Sequence, residues 1–458
     1  VRFLRKHKQS IRMAILRAAA LAMILCSTGV AAFMTSPTGI PLRQTARLTG
    51  SARRAPIYSR RLGRISMVDP SEQAERAGIS FGRRTAVLDR DQDVGIGQDE
   101  ERKAAEKLMQ HCPLTEWGPE LDILAEKKKM ASMDLPVFPY ELVKDPSVVG
   151  EAAEEAYFIQ NKAEINKRLR DHGCVVLRGF ETTKQPGGFE HMWKTLGFEA
   201  CLDPLHTVAG RPVVSGKNAI YEAVNKPSRA KFFVGMHNEM VGKRTVRKAA
   251  FVCFQAADKG GEFLVCDGHR MLRDLDDDFL ERLYSRKIRF SSAQLPMGFM
   301  DSTGPLQPLL EPAVKALLGA IVDFKVDFDV EMFWNRVDGQ RVIQAHAPPQ
   351  PPVIRHPETG LATWFCNIHS HSAKLRDERD GVLPETTGSS QLNKSDVFYG
   401  DGAVIEDADL RHLDAVTRKN TIKLAMKPGD VVFVDNYRAM HGRETFEGPR
   451  KHAVTWFK

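Results

Sequence analysis

The chain has 458 residues, 42% of them hydrophobic, which is enough for a buried core and, by length alone, for two or three domains. The net charge of +8 is concentrated in residues 1–68. That segment contains thirteen Lys and Arg and no acidic residue, so the remainder carries 53 basic against 58 acidic residues. This slightly acidic body gives no electrostatic reason to expect nucleic acid as a partner.

Residues 1–68 have the pattern of a bipartite targeting leader rather than of a folded domain. A basic stretch precedes an apolar run from Ala18 to Ala32, which is shorter than the about 20 residues that span a bilayer. The segment from Phe33 to about Val68 is rich in Arg, Ser, Thr and Pro and resembles a plastid transit peptide. We therefore expect a disordered leader, a plastid location and no membrane segment in the mature protein. The alternatives are a short membrane anchor with a basic linker, or the secretory pathway.

The seven cysteines are spread along the chain without a Cys-x-x-Cys pair. Zinc sites and disulfide frameworks need closer arrangements than these. The sequence therefore predicts free thiols, as in a reducing compartment.

After the leader, residues 69–135 predict an N-terminal extension of modest helices, and residues 136–458 predict the main domain. The segments with helical character are Asp99–His111, Pro119–Met133, Ala152–Asp171, Leu275–Tyr284, Glu311–Leu318 and Glu406–Lys419. The segments typical of strands are Gly173–Phe180, Lys231–Met236, Ala249–Gln255, Phe263–Cys266, Ala362–Ile368, Asp430–Asp435 and His452–Phe457. Many short strands with interspersed helices predict a mixed α+β fold, a β-sandwich or jelly roll with helical insertions.

The pattern His-x-Asp/Glu, in which two metal ligands lie two residues apart, occurs three times. His356-Pro-Glu358 lies in a turn, and His412-Leu-Asp414 lies in a predicted helix, where side chains two apart diverge. His237-Asn-Glu239 alone closes a strand-like run, and on a strand residues i and i+2 share a face. We therefore predict that His237 and Glu239 bind one metal ion.

A third ligand has to come from another segment. The strand that ends at Asp435 is followed after six residues by His441, and Arg450 comes nine residues later. Two His and one carboxylate on one face leave three coordination positions open, as in oxygen-activating Fe(II) enzymes. A bidentate 2-oxo acid and O2 suit those positions. The planar guanidinium of Arg450 suits the far carboxylate of such an acid, although an exposed arginine is an equal alternative for Arg450 alone.

In this order the motifs resemble the taurine dioxygenase (TauD/TfdA) superfamily, and within it the SyrP-like and clavaminate-synthase-like branch. The motifs are His237-Asn-Glu239, then Gly260-Gly261-Glu262, then Asp435-Asn-x4-His441-Gly-Arg-x2-Phe446-x3-Arg450, and they lie within residues 136–458. The resemblance implies a double-stranded β-helix with iron at His237, Glu239 and His441 and 2-oxoglutarate bound by Arg450. It also implies a dioxygenase that hydroxylates or desaturates a small polar substrate, such as an amino acid or carboxylate, with succinate and CO2 as co-products.

Two positions depart from the family pattern. The family usually has Asp where this chain has Glu239, which still supplies a carboxylate oxygen. The family's Gly-Gly-Glu-Thr motif carries a Thr hydroxyl that contacts 2-oxoglutarate, and here Phe263 occupies that position. A phenyl ring cannot donate this bond, so we expect weaker cosubstrate binding or another donor.

Two other functions and several other polar residues remain open. The protein could be a non-catalytic metal or small-molecule sensor, or a metal-dependent hydrolase, but neither needs Arg450. His369 and His371 are expected to be a polar loop pair or pocket lining, Asn367 a pocket residue or a turn amide, and Arg443 a salt-bridge or substrate residue. The sequence does not indicate an oligomeric state.

Overall fold

The computed structural model describes residues 112–201, 213–215, 220–223, 225, 230–239, 241–298, 300–301, 307–308, 310–316, 331–337, 340–380 and 396–458. The predicted leader and the predicted helix at 99–111 lie outside these residues. In the described part of the chain, no helix is both long and apolar enough to cross a membrane. The six cysteines described are free and buried, which confirms that prediction for this part of the chain.

Helices and strands alternate irregularly along the described chain. The helices are α1 (Ile123–Ser132), α2 (Glu151–His172), α3 (Pro186–Thr195), α4 (Gly268–Asp274), α5 (Asp277–Arg286), α6 (Ile368–His371), α7 (Ala373–Asp380) and α8 (Asp407–Asn420). The first strands are β1 (Tyr140–Val143), β2 (Cys174–Arg178), β3 (Val213–Ser215), β4 (Ile220–Glu222), β5 (Val234–His237), β6 (Lys248–Gln255), β7 (Lys259–Gly260), β8 (Phe263–Asp267) and β9 (Ile288–Pro296). The remaining strands are β10 (Glu331–Val337), β11 (Gln340–His346), β12 (Val353–Arg355), β13 (Ala362–Trp364), β14 (Asp396–Tyr399), β15 (Thr421–Leu424), β16 (Val431–Asp435), β17 (Ala439–Arg443), β18 (Phe446–Glu447) and β19 (Lys451–Phe457).

The longest helix, α2, shows why these segments begin and end where they do. Glu151 and Glu154 lie in its first turn and Arg170 and His172 in its last, which matches the charges favoured at each end of the helix dipole. It stops at Gly173, whose φ of 75° is a left-handed conformation that glycine adopts without strain. The chain then turns directly into β2.

The described strands form three larger sheets and two two-stranded sheets, β12-β13 and β18-β7. A major sheet has the order β1-β2-β16-β6-β19-β4-β3, and a minor sheet has the order β15-β8-β17-β5. An outer sheet has the order β10-β11-β9-β14. The strand pairs are antiparallel apart from β1 with β2. The crossovers between strands that are distant in sequence confirm the predicted jelly roll with helical insertions.

The two faces of the major sheet pack against different parts of the protein, because successive side chains of a strand point to opposite faces. Val432 and Val434 of β16 lie in one cluster with Phe263 and Val265 of β8, so the inner faces of the major and minor sheets form one core. Val431 and Phe433 belong instead to the cluster with helices α2 and α3. Burial on both faces explains why β16 is apolar at successive positions.

Helices cover the outer face of the minor sheet, and the end of the predicted extension joins them. Leu264 and Met440 pack there with α4, α5 and α8. Leu121 and Ile123 belong to the same cluster, and Leu114 forms a β-bridge with Arg244. The described part of the extension therefore packs on the main domain.

Most predicted elements occur within a few residues of their predicted bounds, but two expectations differ near the site. The strand predicted at Ala362–Ile368 ends at Trp364, and the chain turns into α6 from Ile368. Strand β17, which contains His441, was not predicted. Its sequence, Ala-Met-His-Gly-Arg, is neither continuously apolar nor alternating, and only its position between β8 and β5 makes it a strand.

Candidate metal centre

The structure brings His237, Glu239 and His441 together from three different local settings. His237 ends β5 and is the direct cross-strand partner of His441 in β17. Their ring centroids are 4.4 Å apart, and His441 Nε2 lies 3.5 Å from Glu239 Oε1. One ligand atom from each of the three residues lies within 4.8 Å of the others. A single ion can therefore be reached by all three side chains.

Glu239 reaches this cluster from a turn, so our sequence argument for its position was wrong. We expected His237 and Glu239 to share the face of one strand, but the strand ends at His237 and Glu239 lies in the turn that follows. The turn has to be held by other groups, because no strand partner fixes it.

Three asparagines hold that turn. Asn367 pairs with the backbone of Asn238 on both sides: its Oδ1 accepts from the Asn238 N–H at 2.8 Å, and its Nδ2 donates to the Asn238 carbonyl at 3.0 Å. Asn436 does the same for Glu239, accepting from its N–H at 2.7 Å and donating to its carbonyl at 2.8 Å. The Asn238 side chain in turn donates to the Asn436 carbonyl at 2.7 Å. Of the two roles open for Asn367, the structure thus shows the turn amide.

The free edge of β5 is covered by α6. The Met236 N–H donates to His369 Nδ1 at 2.9 Å, and His369 Nε2 lies 3.1 Å from Asp414 Oδ1. This arrangement places the imidazole proton on Nε2, and burial lowers the pKa of His369. His369 is therefore a neutral group that positions β5. Gly235 lets the helix approach, since a Cβ there would lie 2.9 Å from the Ser370 backbone.

The remaining His-x-acid motifs do not converge on a metal position. His356 Nε2 bonds Asp435 at 3.0 Å, while Glu358 pairs with Lys248. His412 accepts from the Asp276 N–H. These contacts agree with the sequence argument that separated the three motifs.

Two aromatic rings line the side of His441 that faces the core. Phe263 stacks parallel to the imidazole, with centroids 5.8 Å apart and an interplanar angle of 6°, and Phe251 lies 4.7 Å from it. Phe263 and Phe251 also contact each other at 4.7 Å. The residue that departs from the family pattern is thus a packed part of the wall beside His441.

Arg450 is a buried cation that no acid pairs with in the described part of the chain. It is 6% exposed, and the partners to which it donates among the described residues are neutral oxygens, the Ala223 carbonyl at 3.2 Å and Asn225 Oδ1 at 3.3 Å. Burial and the nearby charge of Arg443 lower the pKa of Arg450 to about 9, so it remains cationic at neutral pH. Among the residues that the structure describes, no carboxylate pairs with it. Gly261 leaves room for its stem, because a Cβ there would meet Arg450 Cδ at 3.3 Å.

Two backbone carbonyl groups accept hydrogen bonds from Arg443. Its Nη1 donates to the Glu444 carbonyl at 2.6 Å and its Nη2 to the Phe232 carbonyl at 3.0 Å. Its guanidinium lies over the Phe446 ring at 4.8 Å, and that of Arg450 over the same ring at 5.7 Å. The two arginines therefore form one positively charged end of the core.

A jelly roll with two imidazoles and one carboxylate converging on its minor sheet is the arrangement of a mononuclear non-haem metal enzyme. Residues 152–456 match the family model for taurine catabolism dioxygenase TauD, TfdA family. The chain belongs to this family, and it is an Fe(II)- and 2-oxoglutarate-dependent oxygenase.

Individual relatives are distant. The dapdiamide synthesis protein DdaC of Enterobacter agglomerans is 23% identical over 291 residues, which is 62% of this chain and 82% of that protein. A clavaminate synthase-like protein of Arabidopsis thaliana is 22% identical over 300 residues, covering 63% of this chain and 83% of that protein. The crystal structure of PvcB from Pseudomonas aeruginosa aligns with a TM-score of 0.40 at 15% identity, over 69% of this chain and 86% of PvcB.

The donor set fits the family's metal. Ca²⁺ and Mg²⁺ prefer all-oxygen sites, and structural zinc prefers four protein ligands, whereas two His and one carboxylate with open positions suit Fe(II). His237 Nδ1 donates to the Gly235 carbonyl at 2.8 Å, which leaves the lone pair of the ring on Nε2. The buried positive charge of Arg450 likewise fits an anionic cosubstrate.

Proposed function

We propose that His237, Glu239 and His441 hold Fe(II), that Arg450 binds the far carboxylate of 2-oxoglutarate, and that the protein hydroxylates or desaturates an unactivated C–H bond of a small polar substrate. An amino acid or another carboxylate is the expected substrate class, with succinate and CO2 as co-products. The observation that carries the proposal is the convergence of the three ligand atoms within 4.8 Å, beside a positively charged end of the core.

The asparagine turn supports the metal site because it fixes the one ligand that no strand holds. Glu239 can reach the imidazoles only while its backbone stays where Asn436 and Asn367 place it. When the ligand residues are held in position before the ion arrives, they lose little conformational entropy on binding, which favours a higher metal affinity. Hydrogen-bonded residues behind metal ligands commonly change metal affinity by about 10- to 100-fold when they are replaced.

The cosubstrate assignment rests on charge. A buried guanidinium that lacks an acid is costly, and a carboxylate that pairs with it offsets the cost through charge-assisted hydrogen bonds. When bound, Fe(II) and 2-oxoglutarate together use O2 to oxidise the substrate C–H bond. The chain's own residues hold these groups, and Phe263 and Phe251 keep water from the core side of His441.

The substrate class follows from the family branch that the motifs resemble. Substrate screening should therefore begin with free amino acids and small carboxylates, with succinate release as the measurement. Among these compounds, the substrate should raise succinate release above the uncoupled background.

The test of the cofactor assignment is an anaerobic titration of Fe(II)-loaded protein with 2-oxoglutarate. A weak visible charge-transfer band is expected with the wild type, and its absence would favour the sensor or hydrolase alternatives. In Arg450→Ala the affinity should fall by roughly 30- to several-thousand-fold, equivalent to about 2–5 kcal/mol for an unpaired buried charge. Arg450→Lys should recover only part of this affinity.

Arg282→Ala serves as a matched control. Arg282 pairs with Asp409 on α8 at 2.8 Å, so its loss also removes an arginine ion pair. Its affinity for 2-oxoglutarate should equal that of the wild type. An Arg450→Ala affinity equal to that of Arg282→Ala would remove Arg450 from the site.

A further inference from the structure

His452 is a buried polar residue that the proposed metal and cosubstrate contacts do not use. It is the second residue of β19 and is 3% exposed. Its Nδ1 atom is buried and has no hydrogen-bond partner among the residues that the structure describes. Leaving a buried nitrogen without a hydrogen bond is costly, so a group that pairs with it is expected in the functional state.

The register of the sheets places His452 next to the metal ligands. On the major sheet, Phe251 of β6 pairs with Val454 of β19, and both side chains face the core. Two residues along, the next pair on this face is Cys253 with His452. The Phe251 ring is the one that lies 4.7 Å from His441. His452 therefore lies two residues beyond the level of the metal ligands, a distance of about 7 Å along the strand.

On the minor sheet, which lies across the core, the residues two positions beyond the metal ligand also face the core. In its β17–β8 pairing, His441 is opposite Val265, and the next inward pair is Arg443 with Phe263. Arg443 and Phe263 thus lie across the core from His452, at the same distance beyond the metal ligands. Arg450 precedes His452 by two residues. In 2-oxoglutarate, three carbon–carbon bonds separate the keto carbon from the carbon of the far carboxylate and span about 4 Å when extended. A 2-oxoglutarate whose keto group binds the metal can therefore place its far carboxylate near His452.

The environment of His452 is cationic. Burial, followed by the charges of Arg450 and Arg443, lowers the pKa of His452 well below its usual value. The imidazole is therefore neutral and has one N–H to donate. Asn225 links the backbone of His452 to Arg450, because its Oδ1 accepts from the His452 backbone N–H at 3.0 Å and from Arg450 Nη1 at 3.3 Å. An anion that Arg450 binds would thus lie beside this imidazole.

We propose that His452 donates a hydrogen bond to the carboxylate that Arg450 binds, and so replaces the hydroxyl that is lost where Phe263 stands. This inference rests on the proposed function, since the carboxylate is that of 2-oxoglutarate. It assigns to His452 the selection of 2-oxo acids that carry a second carboxylate.

The test compares two ligands in two variants. Binding of 2-oxoglutarate and of 2-oxopentanoate, which has the same length but no far carboxylate, is measured by calorimetry on Fe(II)-loaded protein without O2. In His452→Leu the affinity for 2-oxoglutarate should fall about ten- to a hundredfold, as for loss of a hydrogen bond to a charged group. The affinity for 2-oxopentanoate should stay within about twofold of the wild-type value. His452→Gln retains an N–H donor and should bind 2-oxoglutarate more tightly than His452→Leu. It also keeps the position polar, so it remains testable if the Leu variant does not fold.

His269→Leu is the matched control. His269 is also buried, and its ring nitrogens have no hydrogen-bond partner among the described residues, but it lines a different cleft, together with Arg438 and Arg170. It should bind both ligands as the wild type does. Equal weakening of both ligands in His452→Leu, or no weakening of either, would overturn the role of His452 while leaving the oxygenase intact. If the wild type bound neither ligand, the proposed cosubstrate site itself would fail, and the role of His452 with it.

Discussion

Asn436 provides the sharpest test of how the metal site is held. Its side chain is fully buried. Oδ1 accepts from the Glu239 N–H at 2.7 Å, and the two N–H groups of Nδ2 are shared among three acceptors at 2.8–3.1 Å, which are Glu239 O, Val246 O and Thr245 Oγ1. Thr245 Oγ1 also donates to Glu239 O at 2.9 Å, so that carbonyl keeps a partner when the amide is removed. The Glu239 N–H loses the partner that the structure gives it.

The expected loss of stability in Asn436→Ala follows from these hydrogen bonds. An orphaned buried N–H costs about 1–3 kcal/mol, and the lost bonds to the carbonyl groups add about 1 kcal/mol. The free energy of unfolding of the metal-free protein should therefore fall by about 2–4 kcal/mol. Because Glu239 is then less well positioned, Fe(II) affinity should fall about 10- to 100-fold.

The assay measures urea unfolding of metal-free protein and calorimetric Fe(II) binding under anaerobic conditions. Asn420→Ala is the control, since its side-chain amide donates to Asp274 at 3.1 Å and to the Val416 carbonyl at 3.0 Å, contacts made by α8 away from the ligands. It should lose stability but keep Fe(II) affinity. If Asn436→Ala bound Fe(II) as tightly as Asn420→Ala, the asparagine turn would not position Glu239.

Further predictions concern the ligands, the aromatic wall and the leader. His237→Ala and His441→Ala should each abolish Fe(II) binding and succinate release, and full activity in either variant would exclude that residue from the site. Glu239→Ala should retain weak Fe(II) binding without turnover, whereas Glu239→Asp should retain partial activity; equal activity of the Ala variant and the wild type would contradict the assignment. Phe263→Thr should lower the free energy of unfolding by about 2–4 kcal/mol, because the packed ring leaves a cavity, and 2-oxoglutarate affinity should fall with it; tighter binding would show that the ring merely displaced a hydrogen bond. Residues 1–68 fused to a fluorescent reporter should enter a plastid, and secretion of the reporter would refute the plastid prediction.

The fold class and the order of the motifs could be predicted because both depend on local patterns. Strands such as Val431–Asp435 are apolar at each successive position up to Val434 since both faces are covered, and this leaves a signal in the sequence itself. The order of the motifs along the chain likewise led to His237, Glu239 and His441, whose ligand atoms the structure brings together. The two other His-x-acid motifs could be set aside from their local settings, a turn and a helix, but the expectation that Glu239 lies on a strand was wrong.

The geometry of the site depended on contacts between distant segments, which leave no local signal. Strand β17 is a strand because β8 and β5 lie on either side of it, and His441 faces His237 only through that pairing. The turn at Glu239 is held by amides nearly 130 and 200 residues away along the chain. An asparagine that replaces a missing strand partner has the same sequence appearance as one in any surface loop, because its hydrogen bonds are made only once the sheets have packed.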